Sequence, residues 1–118
     1  MPSAEETFRR LTIGEPALLA AIADIDDGDR VETRLDERTE ALIRVGALVA
    51  LDAPQSSYHA AVEAAQLAGA SLDDLLEALL VVAGSVGSAR VVSAAPRIAL
   101  AAGYDIDQAL ERSERPSR

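Results

Sequence analysis

Residues 71–83 read SLDDLLEALLVVA, and in them Leu72, Leu75, Leu76, Leu79, Leu80 and Ala83 recur at spacings of three and four. That is the period of an α-helix with one apolar face, the strongest periodic signal in the chain. Ser71 stands where an N-cap belongs and Asp74 follows three positions later, a capping box with Asp in place of the usual Glu. The stretch therefore predicts a capped helix laid by its leucine stripe against other helices.

Upstream, LDERTEALIRVGALVAL (35–51) opens with Asp36 as an N-cap and runs apolar from Val45 to Leu51, where DAPQSS interrupts it. Ser56 or Ser57 is placed to cap a further helix over about 58–68, stopped by Gly69. Downstream, Gly84 and Gly87 break the leucine pattern before SARVVSAAPRIALAAG (88–103), where Pro96 is expected to kink or split a helix because it lacks a backbone donor. A short helix in DIDQALERS (105–113) leads to a polar tail. Ahead of all this lie a short polar helix from Ser3 or Ala4 to Leu11 and another from Pro16, with Leu18, Leu19 and Ile22, ending in the acidic loop DIDDGD. The expectation is one domain: N-terminal helices and loop over 1–34, and an all-α bundle core with its tail over 35–118, about six helices in total.

Composition agrees with helices. Of 118 residues 49% are apolar, yet only three are aromatic and none is Trp, so the core rests on Ala, Leu, Val and Ile. The net charge is −9 and every basic residue is arginine. Such a chain lacks the cationic surface and stacking rings of a nucleic-acid binder, and without lysine it has no Schiff-base or P-loop amine. The absence of cysteine removes disulfides, thiolate metal sites and thiol redox chemistry. The N-terminus is polar and no apolar run approaches a membrane span, so a cytoplasmic protein is expected, with no membrane contact.

His59, the single histidine, shares a helical stripe with Glu63 and Gln66. It is either a solvated imidazole or a proton-transfer group, since imidazole titrates in the useful range. Glu40 precedes Arg44 by one helical turn, the spacing of an ordinary surface ion pair. Arg90, Ser93 and Arg97 fall on one face, where they could clamp a carboxylate or pair with the chain's surplus acids. One imidazole without thiolates makes a poor metal site, and the clustered Asp24, Asp26, Asp27 and Asp29 lack the ligand spacing of a calcium loop. No metal is expected.

Taken in order, the segments LDERTEALIRVGALVAL and YHAAVEAAQLAGASLDDLLEALLVVAGSVG resemble the carboxymuconolactone decarboxylase family, which also holds the AhpD-like alkyl hydroperoxidases. The resemblance covers about Leu35 to Gly103. It rests on the "Leu-Asp…Thr-Glu-x-Leu-Ile" helix start, a histidine heading the next helix, and "Ala-Gly-Ala-Ser" leading into the leucine-rich helix. It implies an all-helical homo-oligomer, trimeric or hexameric, with active sites near subunit contacts. It further implies proton relay through a glutamate and a histidine, here Glu40 and His59. The redox branch carries a Cys-x-x-Cys pair at the positions of Asp52 and Gln55, so peroxide reduction has no nucleophile here. What the resemblance leaves is cofactor-independent acid/base chemistry on a small carboxylated lactone or keto acid, such as loss of CO₂ from γ-carboxymuconolactone. His59 would transfer the proton, Glu40 would orient it, Tyr58 would offer a hydroxyl, and Arg44, Arg90 or Arg97 would hold carboxylates. The competing class is a non-catalytic oligomeric scaffold or partner-binding protein.

Overall fold

The computed structural model describes residues 3–23 and 33–114 of the chain. All secondary structure among the described residues is helical: α1 (Ala4–Thr12), α2 (Pro16–Ala23), α3 (Glu37–Leu51), α4 (Gln55–Leu67), α5 (Leu72–Val86), α6 (Ser88–Ala101) and α7 (Ile106–Glu114). That is seven helices, one more than expected. None is long and apolar enough to cross a membrane. The acidic loop, with Asp24, Asp26, Asp27 and Asp29, lies outside the described residues.

The chain divides into two compact units between Arg34 and Leu35. In the first, Ser3 caps α1 by accepting from the Glu6 amide. Arg10 then grips Glu15 through two hydrogen bonds of 2.8 and 2.6 Å, joining α1 to the residue before α2. Neither helix buries a residue.

In the second unit α3 and α6 each pack against both α4 and α5, forming a four-helix ring, with α7 resting on α6. Two of the sequence-predicted caps are present: Asp36 accepts from the Thr39 amide at 2.7 Å, and Ser71 and Asp74 form the reciprocal capping box. Arg38 meets Asp74 and Gly46 meets Val82 at the same spacing of 36 residues, so α3 and α5 run side by side in one direction. At Gly46 an added Cβ would stand 3.0 Å from a Val82 methyl, and the missing side chain permits that close approach. The core is small-residue and aliphatic: Val45 and Val49 of α3, Tyr58 and Val62 of α4, and Leu75 of α5 are fully buried. Burying each aliphatic side chain contributes about 1.5–3 kcal/mol before chain entropy is counted.

Three expectations are corrected. Helix α4 starts at Gln55, ahead of both candidate serines, because extended Pro54 supplies the first carbonyl, accepting from the Ser57 and Tyr58 amides; no side chain caps it. Helix α5 runs through Gly84 and ends only at Gly87, whose φ of 87° turns the chain. Helix α6 is not split at Pro96. Proline there leaves the Val92 carbonyl without its usual donor, but Val92 is exposed and water can satisfy it.

Candidate functional site

Helices α3, α4 and α6 end in the same way. At α4, the Gly69 amide bonds to Gln66 and the Ala70 amide to Ala65; at α6, Gly103 and Tyr104 repeat the pattern on Leu100 and Ala99. Both glycines have positive φ, as this reversal requires. At α3 the turn is made by Asp52, with its amide on Val49 and the Ala53 amide on Leu48. Its φ is 51°, the single positive value for a non-glycine among the described residues. Aspartate tolerates this region better than most residues but not as freely as glycine.

The Asp52 side chain explains what a glycine would forfeit. Its Oδ1 accepts a 3.0 Å hydrogen bond from the Ser93 hydroxyl and lies 3.7 Å from Nη1 of Arg97. That guanidinium nitrogen also donates to the Ala53 carbonyl at 2.6 Å, while the Gln55 amide donates to the Arg97 carbonyl at 2.8 Å. Four side chains from the α3–α4 turn and from α6 thus form one polar cluster. Arg97 retains 36% of its side-chain exposure and Asp52 retains 53%, so both charges reach solvent.

Tyr58 follows one turn after Gln55 on α4 and is 1% exposed. Burial raises its pKa above the ordinary value near 10; Arg97 pulls it back and Asp52 pushes it further up, so both charges act on the phenol. Along one side of Arg97 runs a concavity of about 150 Å³, bounded by Gln55, Pro96, Leu100, Asp105 and Ile106. Asp105 is committed to α7, where its carboxylate accepts from the Gln108 amide.

The other sequence-predicted residues lie elsewhere. His59 is exposed in the second turn of α4, on the same polar stripe as exposed Glu63 and Gln66, with no hydrogen bond or ion pair among the described residues. Glu40 is mostly covered, 15% exposed, and its Oε2 stands 3.6 Å from Arg44 one turn along α3. Arg90 is exposed at the start of α6 and does not share the contacts of Ser93 and Arg97. Within the α3–α4 hairpin Glu40 lies eleven residues from the end of its helix, about 16 Å, and His59 four residues into the next, about 6 Å. One chain therefore holds the two at different heights.

A second feature was not read from the sequence. Between α3 and α5 lies an open apolar groove of about 630 Å³, lined by Leu42, Ile43, Ala47, Ala78, Val81 and Val82, with Arg38 and Asp74 paired at one end. Its signal was present in part: on α5 Val81 adds an apolar residue beside the leucine stripe, lines the groove and is exposed. Ser93 and Arg97 share one helical face and were read together, but nothing local tied them to Asp52, which lies 41 positions before Ser93.

This helical unit, with a polar cluster at the head of α4 and no thiol, defines a cysteine-free all-α protein of the kind its sequence segments suggested. The Carboxymuconolactone decarboxylase family profile matches residues 16–111, and the chain belongs to that family. No curated protein and no solved structure matches it.

Proposed function

We propose that the protein carries out cofactor-independent acid/base chemistry, decarboxylation or a related proton transfer, on a small carboxylated lactone or keto acid. The observation that carries this reading is family membership combined with the absence of cysteine. The thiol branch of the family's chemistry is closed to this chain, while Glu40 and His59 stand where the family motif carries its relay residues. Loss of CO₂ from an unsaturated lactone leaves its electron pair delocalised over the ring and carbonyl. The protein's tasks are then to bind the carboxylate, stabilise the enolate oxygen and deliver one proton. His59 is the proton donor in this scheme and Glu40 its acidic partner. Arg97 holds a carboxylate; Arg44, already paired, and Arg90, remote from the cluster, are the weaker candidates.

The different heights of Glu40 and His59 on the hairpin fit a site completed by self-association, as a trimer or hexamer. Purified protein should release CO₂ from γ-carboxymuconolactone or from a related acid in a panel of lactones and keto acids. Inactive Glu40→Gln and His59→Ala chains, mixed and allowed to exchange subunits, should then regain up to about a quarter of the wild-type activity, the statistical share of sites with both native residues. No CO₂ release across the panel would overturn the enzymatic reading; no recovery on mixing would overturn the shared site.

The apolar groove supports a second reading, an oligomeric scaffold or partner-binding protein. An apolar surface of this kind, bordered by charged residues, marks interaction sites more often than solvent-facing surface. An inactive but stably oligomeric protein would favour it.

A further inference from the structure

Helices α3 and α5 run in one direction, and the groove between them keeps that polarity. Its charged lining residues, Arg38, Asp74 and Glu77, lie toward the end where both helices begin, whereas Ala50, Ser85 and Val86 line the end where both stop. The floor is low: Gly46 has no side chain, and Leu42 and Val82 pack down onto the core. The large lining residues that remain exposed are Ile43, at 56%, and Val81, at 81%. An apolar face of this kind, bordered by charge, marks a contact with another molecule.

The face is matched by a copy of itself. Two 15-residue helices side by side make a surface of about 22 by 20 Å. With its ridges counted, such a surface approaches the roughly 800 Å² per partner of a standard interface. It also carries both halves of a self-complementary contact: exposed Ile43 and Val81 as ridges, and a recess over Gly46, Ala47 and Ala78 to receive them. A two-fold axis brings each half against the other. The polarity fixes the direction. In a parallel arrangement the two Glu77 carboxylates and the like poles of four helix dipoles would meet; in an antiparallel one the starts of one helix pair lie beside the ends of the other.

We propose that the α3–α5 groove is a two-fold interface in which a second copy of this chain packs face to face and antiparallel. The inference rests on the self-association part of the proposed function, whose surface it names, and is independent of the chemistry. A closed trimer contains no two-fold axis, so of the trimer and the hexamer this contact selects the hexamer, a ring of such pairs.

Sedimentation of the full-length protein at micromolar concentration should give the mass of a dimer or a hexamer; a monomer or a trimer would overturn the proposal. Val81→Asp places a carboxylate on each side of the contact and spares the core, since Val81 is exposed in the single chain. It should raise the dissociation constant about a hundredfold or more, because each charge would be buried without a partner. An unchanged assembly in this variant would overturn the groove as the interface. Because the chain has no cysteine, one introduced thiol carries one spin label per copy. Labels on Val81→Cys, near the middle of the groove, and on Ser85→Cys, toward its end, report the direction by dipolar EPR, and they keep the test open if Val81→Asp fails to fold. The separation should be longer by several ångströms at the second site, because the helical rise between the two positions is counted twice. Equal separations would overturn the antiparallel arrangement. A monomer that takes up the apolar dye anilinonaphthalene sulfonate, and loses it in Val81→Asp, would give the face to a small apolar ligand and overturn the proposal. Absence of CO₂ release leaves this interface standing, and failure of this interface leaves the Glu40–His59 site to the subunit-mixing experiment.

Discussion

The junctions α3–α4 and α4–α5 are built on the same backbone reversal, yet one turns on Asp52 and the other on Gly69. At Gly69 nothing lies within 4 Å of the position a Cβ would take, so the residue is explained by its φ of 94° alone. At Asp52 the conformation is less favourable and the side chain is engaged by Ser93 and Arg97. The first junction carries polar chemistry and the second carries only the chain. The difference separates what the fold needs from what a ligand site would need.

The largest effect expected around the first junction comes from its buried floor. Tyr58→Ala should cost about 3–5 kcal/mol in chemical denaturation, as for other large-to-small aromatic changes, whereas Tyr58→Phe should stay near wild type. A large loss in the phenylalanine variant would mean that the hydroxyl, and not the ring alone, secures this floor. The Tyr58 pKa also carries a sign. Because it is raised, burial stabilises the neutral phenol; the fold is fully stabilised below about pH 10 and loses this contribution as pH climbs through the raised folded value. Tyr58→Phe should remove that alkaline loss.

Next comes the contrast of the two turn residues. Gly69→Ala should destabilise by about 1 kcal/mol from forced positive φ, while Asp52→Gly should fall within about 0.5 kcal/mol of wild type, relief of the backbone offsetting the lost clasp. Equal losses at both would show that Asp52 is as structural as Gly69 and would remove the distinction. Similar in size is Ser71→Ala, expected to lower stability by about 1 kcal/mol through loss of the α5 cap. Its partner Asp74 has a pKa lowered chiefly by the Ser71 backbone amide. That contribution is present above about pH 4 and disappears as pH falls through the lowered folded value, so Asp74→Asn should flatten the acid limb of a pH–stability curve. The smallest effect is expected of Glu40→Gln, which keeps the shape of a side chain only 15% exposed and removes its charge from the 3.6 Å pair with Arg44, itself 45% exposed; thermal stability should move by less than about 0.5 kcal/mol, leaving any larger change to appear in activity.

What could be read from the sequence was local. The Asp36 cap, the Ser71–Asp74 box and the Glu40–Arg44 pair each lie within one or two helical turns, where spacing dictates contact; of the leucine stripe of α5, Leu75 and Leu79 are buried while Leu72, Leu76 and Leu80 stay exposed. Of the arginine face on α6, the expectation that its members would pair with the chain's acids holds for Arg97 and leaves Arg90 apart. Asp52 and Gln55 stood out only as the positions where a related branch carries cysteines. Their actual partners come from α6, and no periodicity links residues so far apart. The start of α4 was misplaced by the two serines because a proline carbonyl did the capping that a hydroxyl was expected to do. The α3–α5 groove depends on two helices running in the same direction, which no single segment specifies.

The proposed function divides the labour: His59 moves the proton and Arg97 holds the carboxylate. Steady-state decarboxylation by wild type, His59→Ala and Arg97→Gln separates the two. His59→Ala should lower kcat by about 10²–10⁴ with little change in KM, and Arg97→Gln should mainly raise KM. A His59→Ala protein with undiminished kcat would contradict it.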